Sequence, residues 1–523
     1  MRMTRRELVA GLGVAGATLL SPLRLNAQGF DVTPFQLGVA SGDPSPDGFV
    51  LWTRLAPFPL EPHGGMPRRA VEVAWEVGSD ERLRGIVARG TAIAHPELAH
   101  SVHVEVAGLT ADRPYWYRFS AFGERSFVGR TRTAPLAGAP VKSLRFGVAG
   151  CHHYEEGYFH AFRALADADL DFLFHYGDYI YEYPPAPPLR ILREVQFSPV
   201  RRHLGGETYG LDDYRLRYAQ YRTDPDLQRA HAATPWFVTF DDHEVANNWA
   251  GDRDEKGTSP EIFALRRAAA FQAWYEHMPV RKASFPGRDG ARIYRGATWG
   301  DLLSANFLDT RQYRSDQACG DGDRVLCPEA LKPGRTMLGA DQERWLFERL
   351  ARSGTRWNVI AQQMLMMDLD LSRAPDARAP LASMDTWGGY PAARDRLLKH
   401  LQERKLNNTI VLSGDAHQHF AGDVLRTPEG APVAAEFLVT SATSGGDGLG
   451  VLPGNERILQ RNPSLRMLED RRGYGICEVT QDRWTAELVS LSQVTSTETP
   501  SSTVTRFVVE PRRAGIVDRD TRS

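Results

Sequence analysis

Five stretches of the chain end an apolar run in residues that hold metals or move protons. Phe146–Val148 runs into Ala149-Gly150-Cys151, and Phe172–Phe174 runs into His175-Tyr176-Gly177-Asp178, with Tyr181 close behind. Trp236–Phe240 runs into Asp241-Asp242-His243-Glu244 and then Asn247-Asn248-Trp249. Phe307-Leu308 leads to Asp309-Thr310-Arg311, and Ile410–Leu412 leads to Ser413-Gly414-Asp415-Ala416-His417-Gln418-His419. Taken singly these are weak signals, since an Asp-Asp-His-Glu run on a loop is more often solvated or capping a helix. Several together, each after a buried strand, are hard to explain by capping and point to a metal site. Many oxygen donors with a single thiolate do not suit a closed structural zinc, which takes Cys/His sets. Asp, Asn and carbonyl oxygens suit a hard cation such as calcium, and a Tyr–Cys–His–Asp set suits a trivalent metal such as iron.

Such residues converge only if the elements that carry them do. Between the runs ending at Cys151 and Asp178 lies the helical pattern Tyr158–Ala168. Two strands joined by a crossover of that length lie parallel in one sheet, so their carboxyl ends emerge side by side. Further helices are expected around Tyr214–Tyr221, Glu261–Glu276, Asp341–Ser353 and Ala392–Glu403, and further strands in WFVTF, DLLSANFLD, WNVIAQQM, NTIVLSGD and EFLVTSA. This is an α/β domain over 143–510, with its ligand-binding crevice at the strand ends. Residues 28–138 instead alternate in short β segments with turn residues between them, the pattern of an immunoglobulin- or fibronectin-like β-sandwich. Pro184–Gly206 is a long insertion containing Arg190, Arg193, Arg201 and Arg202, either a solvated loop or a place for anionic substrate. Gly473–Glu510 returns to β alternation and is expected to finish a second sheet, and 511–523 is expected to be a disordered tail.

With 63 basic and 65 acidic residues mixed along 523, no basic block argues for nucleic acid. Residues 1–27 carry Thr4-Arg5-Arg6-Glu7-Leu8, a short apolar run to Leu20 and a small-residue site at Leu25-Asn26-Ala27. That is the pattern of a twin-arginine (Tat) signal, with the Tat translocase as the partner during export and a periplasmic or secreted destination. No later run reaches 18 apolar residues, so no stable membrane span is expected. Cys319 and Cys327 bracket CGDGDRVLC and are expected to form a local disulfide in an oxidising compartment. Cys477 sits in a strand-like segment, as a buried apolar residue would.

The order AGC (to Cys151), GDYIYE (Gly177–Glu182), DDHEVANNW (Asp241–Trp249), LDTRQYR (Leu308–Arg314) and SGDAHQH (Ser413–His419) resembles that of PhoD-like alkaline phosphatases/phosphodiesterases. These lie within the calcineurin-like metallophosphoesterase superfamily, and the resemblance covers essentially the whole mature chain. It implies a four-layer αββα catalytic fold holding Fe3+ and Ca2+, with Zn2+ and Mn2+ ranked below them. It puts Cys151, Asp178 and Tyr181 on the iron, with Asp178 bridging to calcium. Asp415 stands where the superfamily carries the first His of GHxH, which implies a calcium ligand, and His417 then takes the second His position, on iron. Asp242 matches the Asn of GNHE, a ligand of the second metal, and His243 the catalytic His. Asn248 or Asn247 completes the calcium set. Asp241 is a neighbour of that set, His419 is either ligand or support, and Arg311 either clamps phosphate or pairs with a nearby Asp. His152 and His153 have no ligand role in the family and are candidates for lining the substrate pocket.

The reaction expected is hydrolysis of phosphate mono- and diesters by a metal-activated hydroxide attacking phosphorus in line, with His243 protonating the leaving alkoxide. One alternative is a phospholipase D-like phosphodiesterase. Another is a calcium-stabilised scaffold that keeps a relic site. A monomer is expected.

Overall fold

The computed structural model describes residues 32–192, 195–288 and 290–522. The signal-like segment 1–27 lies outside the described residues. Two sheets stack face to face. The first has ten strands, in spatial order Arg513–Arg522, Ser502–Glu510, Trp484–Leu491, Gly473–Thr480, Ser143–Ala149, Phe172–His175, Trp236–Val238, Val39–Ser45, Gly48–Arg54 and Ser101–Val106. The second has seven: Arg295–Trp299, Leu303–Phe307, Trp357–Ala361, Thr409–Ser413, Pro432–Leu438, His419–Leu425 and Leu465–Glu469.

The two-residue period of a strand sends alternate side chains to opposite faces and so builds the layers. Phe146, Val148, Phe172, Phe174 and Phe237 meet Leu303, Phe307, Val359 and Leu412 between the sheets. Ala149, Leu173, Trp236 and Val238 face the other way. They meet the helices His160–Ala166, Leu211–Arg222, Pro225–Ala233 and Pro260–His277. On the far side of the second sheet, Ile360 and Val411 meet Gly339–Arg352 and Pro391–Glu403. Three apolar cores thus separate four layers in the order αββα. Each large apolar side chain buried in them contributes about 1.5–3 kcal/mol.

The expected parallel pair is present, with Phe172 opposite Phe146 and His175 opposite Ala149. Trp236–Val238 lies parallel on its other side. Cys151, Asp178 and Asp241–Glu244 therefore leave adjacent strands at one rim. From the second sheet, Thr409–Ser413 delivers Asp415 and His417 to the same rim.

Three expectations need correction. The N-terminal region packs as a sandwich, with Val39, Leu51 and Val104 against Val73, Tyr117 and Phe119, yet it is not self-contained. Its strands Val39–Ser45, Gly48–Arg54 and Ser101–Val106 continue the catalytic sheet through Gly42 beside Trp236. A Cβ at Gly42 would lie 2.1 Å from the Pro279 carbonyl oxygen, so that seam requires glycine. Strands within Gly473–Glu510 extend this first sheet rather than finish the second. The tail is not disordered, because Arg513–Arg522 pairs antiparallel with Ser502–Glu510. Its charged residues Asp518, Arg519 and Asp520 stand exposed along this edge strand.

The insertion after Pro184 forms a small ribbon, Arg190–Leu192 with Val195–Phe197. Arg201 is a structural cation: it pairs with Asp224 at 2.5 Å and lies over the rings of Tyr154 and Phe159 at 4.0 and 4.4 Å. Arg193 lies outside the described residues. Among the described residues no helix is long and apolar enough to cross a membrane.

Candidate metal centre

At the shared rim three groups of donors form, each with its ligand atoms within 4.8 Å of one another: Cys151, Asp178 and His417; Asp178, Asp242 and His243; Asp241, Asp242 and Asp415. Asp178 belongs to two of them and Asp242 to two, so the groups form a connected chain. Tyr181 Oη donates to Asp178 Oδ2 at 2.8 Å and lies 3.2 Å from His417 Nε2. The backbone bends sharply to achieve this. Cys151, Asp178, Asn248, Asp415 and His417 have φ of 50°, 55°, 50°, 65° and 54°, the left-handed region. Outside glycine each such residue costs about 1–3 kcal/mol, and such residues cluster where function fixes the geometry.

Two glutamates organise the loops. Glu244 accepts from the backbone N–H of Asp178 (3.0 Å), Tyr179 (2.6 Å) and Asp241 (2.9 Å), tying together the ends of two adjacent strands. Burial raises its pKa to about 8 despite those donors. Glu182 Oε2 accepts from His243 Nδ1 at 2.7 Å, and its Oε1 accepts from Asn247 N at 2.8 Å. The imidazole is thereby oriented, with Nε2 4.0 Å from Asp242 Oδ2. Burial works against a charged His243, but Asp242, Glu182 and Asp178 outweigh it and lift its pKa well above the ordinary histidine value.

Arg311 is fully buried and does not clamp substrate. Its Nε meets Asp241 Oδ1 at 2.5 Å, one terminal nitrogen meets both Asp385 oxygens at 3.0 Å, and the other lies 3.4 Å from Asp242 and 3.3 Å from Asp415. It is the internal counter-ion of the acidic cluster, and still the cluster is under-compensated. Burial pushes the carboxyls of Asp178 and Asp415 well above their usual range, and that of Asp241 up to about 6. Asp242 goes the other way: burial opposes it, but Arg311 and His243 hold it down. Burial and the neighbouring Asp178 also raise the Cys151 thiol. Asp178 Oδ1 and Asp241 Oδ2 are buried without a hydrogen-bond partner among the described residues. Buried carboxylate oxygens left over beside a thiol, a phenol and an imidazole are what a cation site presents, so the residues fit bound metal.

The structure separates the sequence candidates. Asn248 N donates to Asp242 Oδ2 at 2.8 Å, whereas the amide of Asn247 donates to Glu255 at 2.7 Å on the exposed side. His419 is withdrawn into the sheet, with Nδ1 accepting from Thr440 N and Nε2 3.2 Å from the Val489 carbonyl oxygen. Both ring nitrogens are engaged with backbone, which excludes it as a ligand. His152 packs edge-on to Phe159, Phe162 and Tyr179, and His153 against Tyr181, so both lie buried behind the rim rather than lining the cleft. The cleft, of about 340 Å³, is bounded by Asp178, Asp242, His243, Asp415 and His417 on its polar side, and by Leu365, Leu371 and Phe420 on its apolar side.

A model of the PhoD-like phosphatase family matches residues 146–488, and one of the N-terminal domain of PhoD-like phosphatases matches residues 22–135. The chain belongs to the PhoD-like phosphatase family. It is 45% identical to alkaline phosphatase D of Bacillus subtilis (strain 168) over 98% of its own length and 88% of the relative's. A solved structure of PhoD superposes with a TM-score of 0.90 at 46% identity, covering 94% of this chain and 93% of that one. The protein is thus a phosphoric ester hydrolase of the PhoD type, in a family whose members depend on metal.

Several residues of the site went unassigned from sequence. Glu182 and Glu244 sit inside the motifs, but nothing in the motifs distinguishes an orienting carboxylate from a ligand. Asp385 pairs with Arg311 and, at 2.7 Å, with Arg314, and it follows no apolar strand that would flag it. Ser444 Oγ lies between Tyr181 Oη and the Cys151 carbonyl oxygen and has no sequence signal either.

Proposed function

We propose that the protein hydrolyses phosphate mono- and diesters in this cleft with iron and calcium bound. Cys151, Tyr181, His417 and Asp178 would hold iron. Asp178, Asp242, Asn248 and Asp415 would hold calcium, with Asp178 bridging. The observation that carries the reading is the connected chain of donor groups, in which Asp178 and Asp242 are each shared. When bound, such metals supply Lewis-acid polarisation of the phosphoryl oxygens and an acidified water.

The chain's own groups supply the rest. Glu182 holds the His243 ring by Nδ1, which directs the Nε2 proton to the cleft for transfer to the leaving alkoxide. Glu182, which lies outside the proposed ligand set, faces Nδ1 and favours the protonated ring. Arg311 neutralises carboxylates that would otherwise repel a phosphate dianion. Leu365, Leu371 and Phe420 exclude water from one side of the cleft. Export in the folded state by the Tat route is part of the proposal. It is supported by the twin-arginine start and by the Cys319–Cys327 disulfide, which suits an oxidising compartment.

The test is metal content by mass spectrometry on the purified protein, followed by hydrolysis of p-nitrophenyl phosphate, bis(p-nitrophenyl) phosphate and phosphatidylcholine. Iron with calcium, and cleavage of the first two, is the expected result. Zinc or manganese in place of iron would overturn the roles of Cys151 and Tyr181. Choline release as the dominant activity would favour the phospholipase D-like reading, and bound metal without any hydrolysis would favour a scaffold.

A further inference from the structure

The loop closed by the Cys319–Cys327 disulfide does more than brace the surface. The geometry points to Asp321, inside that loop, as a positioning residue acting through Asn248, with the disulfide holding it there, so that cation affinity depends on the oxidised loop. The inference rests on the reading of Asn248 as a ligand.

Asn248 Nδ2 donates to Asp321 Oδ2 at 3.2 Å. Only the NH2 end of an amide can face a carboxylate in this way, so the contact fixes the flip state of Asn248. It leaves Oδ1, the one side-chain atom with lone pairs for a cation, uncommitted to Asp321. The backbone of Asn248 is held equally firmly. Its N–H donates to Asp242, and its carbonyl accepts from Gln317 Nε2 at 2.6 Å and from Arg314 at 3.0 Å. Gln317 Nε2 also donates to Asp385 Oδ1 at 2.7 Å.

The same loop secures the opposite wall. Asp323-Arg324 pairs with Ala382-Ser383, and Met384 N donates to the Gly322 carbonyl at 2.9 Å, immediately before Asp385. Asp321, Gly322 and Asp323 line the cleft itself.

Two observations set this loop apart from an ordinary surface turn. Cys319, Gly320, Asp321 and Gly322 all have positive φ, at 59°, 85°, 60° and 69°, a consecutive run that an unconstrained chain would not keep. The cross-link between Cys319 and Cys327 closes that run. In addition, Asp321 adds negative charge to a cleft that already holds Asp178, Asp242, Asp385 and Asp415. Its contact with Asn248 gives that carboxylate a donor at the cleft wall.

The experiment is a chelator-buffered Ca2+ titration of the full-length protein, read by tryptophan fluorescence and by the rise in Tm. Asp321→Ala is expected to weaken Ca2+ binding by about 10–100-fold, the usual effect of removing a group that orients a ligand. Asp321→Asn, which still offers an oxygen to Nδ2, is expected to recover most of that loss. Cys319→Ser with Cys327→Ser, or reduction of the wild type, is expected to weaken binding in the same direction by less. If Asp321→Ala binds Ca2+ as the wild type does while Asn248→Ala does not, the inference fails and the ligand assignment stands. If Asn248→Ala itself binds like the wild type, both fall. Asp321→Asn preserves the size of the side chain, so the comparison survives should the alanine variant fail to fold.

Discussion

Two populations of buried titratable side chains lie almost back to back in this protein and behave in opposite ways. Behind the rim, His152, His175 and His231 sit among Phe159, Phe162, Tyr179 and Trp236. Burial drives their pKa values down, to about 3 for His175, and leaves them neutral packing groups. At the rim, His243 is comparably enclosed yet is driven upward, because Asp242, Glu182 and Asp178 face it. The residue type is the same; the neighbouring carboxylates decide whether it packs or carries a proton. His152 directly follows a candidate ligand, Cys151, and falls in the first population all the same.

The contrast can be broken most directly by removing one histidine from each side. His243→Ala is expected to lower kcat by about 10²–10⁴-fold, the usual worth of a general acid. Steady-state assays with a poor leaving group measure it, and an unchanged kcat would end that role. The largest stability effect is expected from Arg311→Met, which strands Asp241 without its buried counter-ion and leaves Asp385 to Arg314 alone. Denaturant unfolding should show a loss of about 3–5 kcal/mol. His152→Ala should lose about 2–4 kcal/mol, through the cavity and the abandoned contact with His175, while kcat stays unchanged. A fall in kcat to match that of His243→Ala would erase the distinction.

The smallest effect sharpens the comparison rather than testing its existence. Glu182 is among the charges that raise the pKa of His243, so Glu182→Gln lowers it. The protonated ring is the active acid, so its loss begins sooner as pH rises. The alkaline limb of the kcat profile is therefore expected to move to lower pH, with the limb unmoved if Glu182 only packs.

Much of this was legible in the sequence because apolar runs ending in ligand-type residues mark strand ends. Cys151, Asp178, Asp242, Asp415 and His417 were found that way, and the structure brings them to one rim. Strand–helix alternation marked an α/β domain, whereas the four-layer αββα order was implied only by the resemblance to the PhoD-like family. The orienting residues were not legible, because Glu244 and Asp385 act through contacts with distant segments and no local pattern records those. The role of Arg311 was open for the same reason: an arginine after a strand reads alike whether it meets a phosphate or four aspartates. The C-terminal strand escaped because its exposed Asp518, Arg519 and Asp520 read as the charges of a disordered tail do. The fused N-terminal sheet escaped because its seam is a single residue pair, Gly42 beside Trp236.

That seam bears on how the protein is made. Val39–Ser45 finds its parallel neighbour only when Trp236–Val238 has been synthesised, and Ser143–Ala149 waits for Gly473–Thr480, far later in the chain. The main sheet is therefore of high contact order, and such topologies fold slowly. Throughout that wait the nascent chain carries unpaired strand edges, the surfaces on which chains aggregate. The central sheet cannot close until Gly473–Thr480 has left the ribosome, and a chaperone that shields those edges until then is expected to raise the yield of folded enzyme.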